Sequence, residues 1–513
     1  MKAYLLYPDK DYIKSDVKTS YNDLWYDTIV NHLCVYDKYI KEIYLDAANL
    51  MSTDPEIIKY RQSILKDVIK NKSVITNYYG FITEFLTKCY NQRFVIDSKK
   101  MTESYNAVLR ILPDLLLGLE NISRYFEKYK DGFKSKGLQG YFERYLKVFT
   151  LDYIKELRDV FDLTRFPKGY FATAGLDEAL NISSLELYDV VESKKELKKD
   201  LHATGIQLRG KVTTLPEYEI EIKEDKKWKH AKVIENPRAL AASEEDFMSF
   251  TDEVLLGTAP KICNIVNDIY KFLSKSREEL AFYIGALNLY DKLIKLGMPI
   301  CTPKPYKTAE KAFKCDGLYD VALALQSGQK VVGNTLDSKD KTIFFITGAN
   351  QGGKTTFLRS YGQAIIMMQL GLFVSGVSFE SNTFVDIFTH FNKEEDKTME
   401  SGKLDEELGR LNLIVDEIKP GSLMLFNESF QSTSELEGST IACDVIRAFN
   451  EKGISVVAVS HMYHLYVLLD KEFNDRIYYL RASRDDEGIR SYKLVEEKPL
   501  RTSFALDLYK EIF

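Results

Sequence analysis

The sequence predicts a multidomain chain. A long-helix lever and clamp region, mainly α with a small β insertion, precedes an α/β domain built around a phosphate-binding loop. Three observations predict this. Apolar residues recur at spacings of three and four over long stretches between about residues 10 and 300. From about 311 the texture changes to short apolar runs separated by helical stretches, the pattern of a parallel sheet. After the first of those runs, Gly348 to Thr355 fits G-x4-G-K-[ST] at every fixed position. The expected division is therefore 1–310 for the helical region, with a clamp-like insertion near 195–240, and 311–513 for the α/β domain.

The 513 residues leave room for two to four domains. With 45% apolar and 28% charged residues, the balance is that of an ordinary soluble globular protein. No apolar run approaches the roughly 20 residues needed to span a bilayer, so no membrane partner is expected. The opening "MKAYLLYPDKDY" is too short an apolar stretch for a signal peptide. Cys34, Cys89, Cys263, Cys301, Cys315 and Cys443 form no C-x-x-C pair, which argues against a zinc site or a disulfide framework. These features point to a reduced, cytoplasmic protein. Residues 331–513 carry 20 Lys+Arg against 28 Asp+Glu, and residues 1–330 carry 50 against 48. An acidic C-terminal half is a poor DNA surface, because duplex affinity rests on neutralising phosphates. Local basic patches such as Lys194, Lys195, Lys198 and Lys199, or Lys226, Lys227, Lys229 and His230, could serve instead. Taken alone, such a charge run is more often a solvated helix face or turn.

Taken in order, "DPEIIKYRQSILKDVIKN" (54–71) places Ile57, Ile58, Ile64, Leu65, Val68 and Ile69 on one stripe. Asp54 is its N-cap and Pro55 its first helical residue. The stretch 208–230 interrupts the helical pattern, and "EYEIEIKE" within it alternates polar and apolar as a half-exposed strand does. Residues 262–296 return to helical spacing over about nine turns, and Gly297 and Pro299 supply the stop. Strands are expected at "TIFFIT" (342–347), "SLMLF" (422–426) and "ISVVAV" (454–459), and "RIYYLRASRDDEGIRSYKLV" reads as two strands turned at Asp485 to Gly488.

The loop comprises Gly348, Ala349, Asn350, Gln351, Gly352, Gly353, Lys354, Thr355 and Thr356. Its glycines let backbone N–H groups close around phosphate oxygens. Lys354 would reach the β- and γ-phosphates, and the Thr355 hydroxyl would take a magnesium position. Further on, "LMLFNE" ends 74 residues after Lys354 at Glu428. An apolar strand ending in Asp-Glu holds magnesium through the Asp while the Glu polarises the attacking water. Here Asn427 stands in the Asp position; its amide oxygen can accept from a magnesium-bound water but brings no charge. His461 in "VSHMYH" follows the next strand, where ligands bind in parallel sheets, and could sense a γ-phosphate.

With these residues placed, the chain resembles the MutS family of DNA mismatch-repair ATPases. That family's loop reads T-G-P-N-M-G-G-K-S-T, against Thr347 to Thr356 here, and "N-x-G-G-K-[ST]-T" is far more specific than the general loop pattern. "VDIFTHF" (385–391), "STSELEGS" (432–439) and "VSHMY" resemble further family segments, as do 52–69 and 280–306 for the lever helices. Glu407, 21 residues before Glu428, falls where the family has the Glu of S-T-F-M-V-E-M, and Ser401 matches the family's interface serine with a gap. On this reading neither the family's N-terminal Phe-x-Glu mismatch reader nor an Smr domain is expected. Phe430, Gln431 and Ser432 also replace the family's G-R-G.

The resemblance implies an ABC-type P-loop NTPase domain using ATP and Mg2+, with Glu428 and His461 catalytic. It implies a homodimer closing on ATP, with Ser401 and Glu407 near the partner, and arms that move on DNA without reading mismatches. Two alternatives stay open. One is a slow or non-hydrolysing ATP-binding switch or scaffold, suggested by Asn427. The other is a relative directed at the ribosome or a protein.

Overall fold

The computed structural model describes residues 3–10, 12–13, 21–91, 101–164, 170–176, 182–190, 217–224, 227–234, 259–338, 340–392, 402–484 and 490–500. It is a mixed helical and α/β structure with several sheets. Two compact units interleave along the chain. One comprises Gly80–Lys130 and Phe142–Ser274; the other comprises Lys2–Tyr79, Asp131–Tyr141 and Lys275–Phe513. Chain order alone therefore does not delimit them, since Lys2–Tyr79 belongs with the α/β part. Among the described residues no helix is long and apolar enough to cross a membrane.

In the first unit, helices Met101–Tyr129 and Leu151–Thr164 pack together. Its core is aromatic: Phe126 lies 4.3 Å from Phe142 and 4.9 Å from Tyr145, ring centre to ring centre. A four-stranded antiparallel sheet runs in the order Ile182–Val190, Tyr170–Leu176, Lys227–Ile234, Glu217–Glu224. The alternating "EYEIEIKE" segment forms the last of these and pairs along its whole length with Lys227–Ile234, which carries Lys227, Lys229 and His230. Lys194, Lys195, Lys198, Lys199 and Lys226 lie outside the described residues.

The second unit holds the expected helix α1 (Pro55–Lys70), capped by the Asp54 carboxylate accepting from Glu56 N, with Pro55 at its first position. The long helix expected over 262–296 spans Ala259–Lys295, of which the part from Lys275 belongs to this unit, and Gly297, with φ of +67°, follows its end. The central sheet has six strands: β1 (Ile343–Thr347), β2 (Ile387–Phe391), β3 (Leu423–Asn427), β4 (Ser455–Val459), β5 (Ile477–Arg484) and β6 (Arg490–Glu496). The order is β2-β3-β4-β1-β5-β6, parallel throughout except for β6. The turn expected at Asp485 to Gly488 lies outside the described residues, between β5 and β6. A smaller sheet orders Lys304–Tyr306, Ser378–Asn382, Phe313–Leu318 and Asn334–Asp337.

Helix α2 (Lys354–Leu370) runs between these layers, touching β3 and β4 on one side and the smaller sheet and α1 on the other. It is buried on nearly every side, which is why its sequence lacks a polar stripe. Polar anchors fix its position. Gln363 donates to Leu24 O at 2.9 Å and to Asp320 Oδ1 at 2.8 Å. Arg359 pairs with the other Asp320 oxygen at 2.8 Å and lies 3.7 Å over the Trp25 ring. Arg61, wholly buried, donates to Leu6 O, Leu50 O and Leu370 O, placing a cation at the helix's carbonyl end. Two further helices complete the site's surroundings: α3 (Lys403–Glu417) and α4 (Glu435–Glu451).

Candidate functional site

The phosphate-binding loop leaves β1, whose five residues are all buried, and enters α2 at Gly353. Gly348 and Gly353 have φ of +120° and +91°, conformations that disfavour any side chain. The loop also passes close to β5 and β6. A Cβ at Gly352 would sit 2.8 Å from the Ala482 Cβ, and one at Gly353 would sit 3.1 Å from Tyr492 O. Lys354 is buried, and its ammonium donates to Gly348 O and Ala349 O, each at 3.0 Å. Burial pulls its pKa down to about 8, with Glu428 acting in the opposite direction.

The neighbouring strands bring the remaining groups to the same edge. Asn427 at the end of β3 pairs with Val459 at the end of β4, and Val459 pairs with Ile346 of β1. The Thr355 hydroxyl donates to Asn427 Oδ1 at 2.9 Å. Glu428 turns out of β3 with φ of +54°, its N–H bonded to Val459 O at 2.9 Å. Its carboxylate lies 2.8 Å from His461 Nε2. The close approach of His461 holds its pKa below the ordinary value, against the opposing effect of burial, with the charge of Lys354 adding to the lowering. A cleft of about 610 Å³ opens over Asn350 to Thr356 and Glu428, walled on its other side by Leu323, Lys330, Val331, Val332 and Tyr492.

Two family models match this chain: the MutS2 N-terminal domain over residues 53–296 and MutS domain V over residues 344–512. The chain belongs to the MutS family. Among similar proteins, "DNA mismatch repair protein MutS" of Bacillus cereus is 23% identical over 379 residues, covering 71% of this chain and 39% of that one. The protein of that name from Streptococcus mutans is 30% identical over 152 residues, covering 29% and 18%. "Endonuclease MutS2" of Lacticaseibacillus casei is 29% identical over 209 residues, covering 38% and 26%. The chain thus spans well under half the length of these MutS-family relatives.

Of the residues singled out in this MutS-family sequence, Ser401 lies outside the described residues. Glu407 on α3 is 1% exposed, and its carboxylate is bound within the chain by Phe430 N at 3.0 Å and the Ser432 hydroxyl at 2.9 Å. Sequence reading missed His390 and Ser429, a buried pair 2.8 Å apart beside Glu428, although His390 lies in the quoted "VDIFTHF" and Ser429 directly follows "LMLFNE". It also missed Tyr492 and the Val331–Val332 wall, which no spacing marks.

The donor set suits magnesium brought in with a triphosphate: two neutral oxygens, Thr355 Oγ1 and Asn427 Oδ1, already in mutual reach. Among the described residues no cluster of three or more His, Cys, Asp or Glu could hold a metal ion without it.

Proposed function

We propose that this MutS-family chain binds ATP in the cleft over its phosphate loop and hydrolyses it slowly to ADP and phosphate. The observation that carries this reading is the convergence of Lys354, the Thr355–Asn427 pair and the Glu428–His461 pair on the ends of β1, β3 and β4. In this reading Lys354 exchanges its two loop carbonyls for phosphate oxygens, whose negative charge favours its ammonium form. Glu428, kept ionised by His461, takes a proton from the attacking water. His461 fixes the carboxylate's direction. Thr355 and, through water, Asn427 would hold magnesium, which would supply charge neutralisation on the phosphates; the neutral Asn427 would hold it less firmly than an aspartate.

The wider proposal is a homodimer of ABC-type ATPase domains (311–513). Its closure moves a helical region (1–310) on DNA without direct mismatch reading. ATP turnover by the wild type, Lys354→Ala and Glu428→Gln tests the chemical part, and equal rates in all three would sink it. A second reading, a nucleotide-binding switch with negligible turnover, is favoured by the uncharged Asn427–Thr355 contact. Asn427→Asp separates the two: a large gain in magnesium-dependent turnover identifies a damped site, and no change identifies an accommodated one.

A further inference from the structure

The turn that carries Glu428 is an expensive piece of backbone. Glu428 and Phe430 both sit in the left-handed region, at φ of +54° and +64°, where residues with side chains rarely rest. Such a turn persists only when its surroundings hold it. Glu428 N–H is held by Val459 O and Ser429 Oγ donates to His390 O at 2.8 Å, and one further residue ties the rest of the turn. Both Glu407 carboxylate oxygens are used within the turn and its continuation, one by Phe430 N and one by Ser432 Oγ. The Glu407 carbonyl accepts from His390 Nε2 at 3.1 Å, and the other ring nitrogen lies 2.8 Å from Ser429 Oγ. Residues 429, 430 and 432 are thus tied to Glu407 directly or through one imidazole. From the opposite side, α4 presents Gly438 so closely that a Cβ there would be 2.2 Å from Phe430 O.

We infer that Glu407 is a positioning residue for Glu428: its buried carboxylate holds the left-handed turn that aims the Glu428 carboxylate at the phosphate loop and His461. This rests on the reading that Glu428 activates water. A carboxylate this buried would be costly if it were unbonded, and its bonds go to the residues just past Glu428, not to a neighbour on its own helix. The role differs from a place at a subunit interface, because the group is closed off by its own chain.

The test uses the full chain and four variants: Glu407→Ala, Glu407→Gln, Ser432→Ala, and Glu407→Ala combined with Glu428→Gln. Glu428→Gln alone serves as reference. Three quantities are read: kcat for ATP, affinity for a fluorescent ATP analogue, and hydrogen exchange of the 428–433 amides. Glu407→Ala is expected to lower kcat by about tenfold or more, as a misaimed group does, with nucleotide affinity within about twofold. Exchange across 428–433 should rise by about tenfold in the same variant. Glu407→Gln should recover most of the rate, because its amide oxygen still accepts from Phe430 N. On the Glu428→Gln background, Glu407→Ala should cost nothing further in kcat.

If Glu407→Ala does not fold, Ser432→Ala decides, with an expected loss of about threefold in kcat and faster exchange. Unchanged exchange, a kcat within twofold of wild type, or a full additional loss on top of Glu428→Gln would each overturn the inference. Equal rates in wild type and Glu428→Gln would instead overturn the hydrolytic reading, and the exchange data would then judge the hold on the turn by itself.

Discussion

Replacing Gly438 by alanine should displace the Glu428 turn more than it weakens the fold. The new Cβ would lie 2.2 Å from Phe430 O and 3.4 Å from Met462 Sδ. The sulfur can move aside, but the carbonyl is backbone, and restoring even a tight contact needs a shift of about 1 Å. The stability terms oppose one another. Overpacking costs about 1–3 kcal/mol, while alanine in place of glycine inside a helix returns about 1 kcal/mol. The net loss is therefore about 0–2 kcal/mol, a few degrees in melting temperature. Under the proposed role of Glu428 the effect on rate is larger, because a displacement of about 1 Å at a reacting group costs about a hundredfold. Gly409 on α3 is the internal control, since a Cβ there meets nothing within 4 Å, so Gly409→Ala should gain about 0.5–1 kcal/mol with kcat unchanged. Melting curves and steady-state ATPase rates on the two variants decide the matter. A Gly438→Ala protein that matches Gly409→Ala in stability and keeps kcat within twofold of wild type would refute the reasoning.

Three further outcomes are expected. Asp320→Ala strands the Arg359 guanidinium, whose side chain is only 11% exposed; the loss should reach about 3 kcal/mol by urea denaturation, and a loss under 1 kcal/mol would contradict it. Burial holds the His390 pKa below its ordinary value, with Arg410 adding to the lowering and Glu407 and Asp23 opposing it. Below pH 6.5 the unfolded chain therefore takes up a proton that the native state refuses, so stability falls as pH drops, by up to about 1.4 kcal/mol per pH unit until the folded pKa is reached. His390→Gln should flatten the pH profile of unfolding free energy between 6.5 and 5, and an identical slope in both proteins would count against the assignment. Asp54→Ala removes the cap on Glu56 N and should cost about 1 kcal/mol, read as a lower urea midpoint with an unchanged slope.

The parts legible in the sequence are those with local signatures. The strand–loop–helix at 343–370 combines an apolar run, glycines at fixed offsets and a helical continuation, and each narrows the same stretch. The helix Pro55–Lys70 declares its start through Asp54 and Pro55. The meeting of Asn427 with Thr355 follows from strand ends, because parallel strands bring their C-terminal residues to one edge. The inward carboxylate of Glu407 is not legible: its partners are 23 and 25 residues away, and an acid on a helix beside Asp405 and Glu406 reads as solvated. The same holds for the Asp320–Arg359 pair, 39 residues apart, and for His390 beside Ser429 at the same separation. No periodicity links such pairs; only the sheet order and the packing of α2 do.

The anchoring of α2 by Leu24 also bears on how the polypeptide is made. Gln363 finds its acceptor 339 residues earlier in the chain, and Arg61 finds one of its acceptors 309 residues later. At about 5–20 residues per second, translation takes between about a quarter of a minute and a minute to produce the later partner. Throughout that interval the N-terminal helices carry apolar faces and a guanidinium whose intended cover has not yet been synthesised. The α/β part completes itself only by capturing a segment that left the ribosome long before. Its folding is therefore a late, long-range closure, and a translational pause between residues 300 and 340 would prolong the exposed state directly.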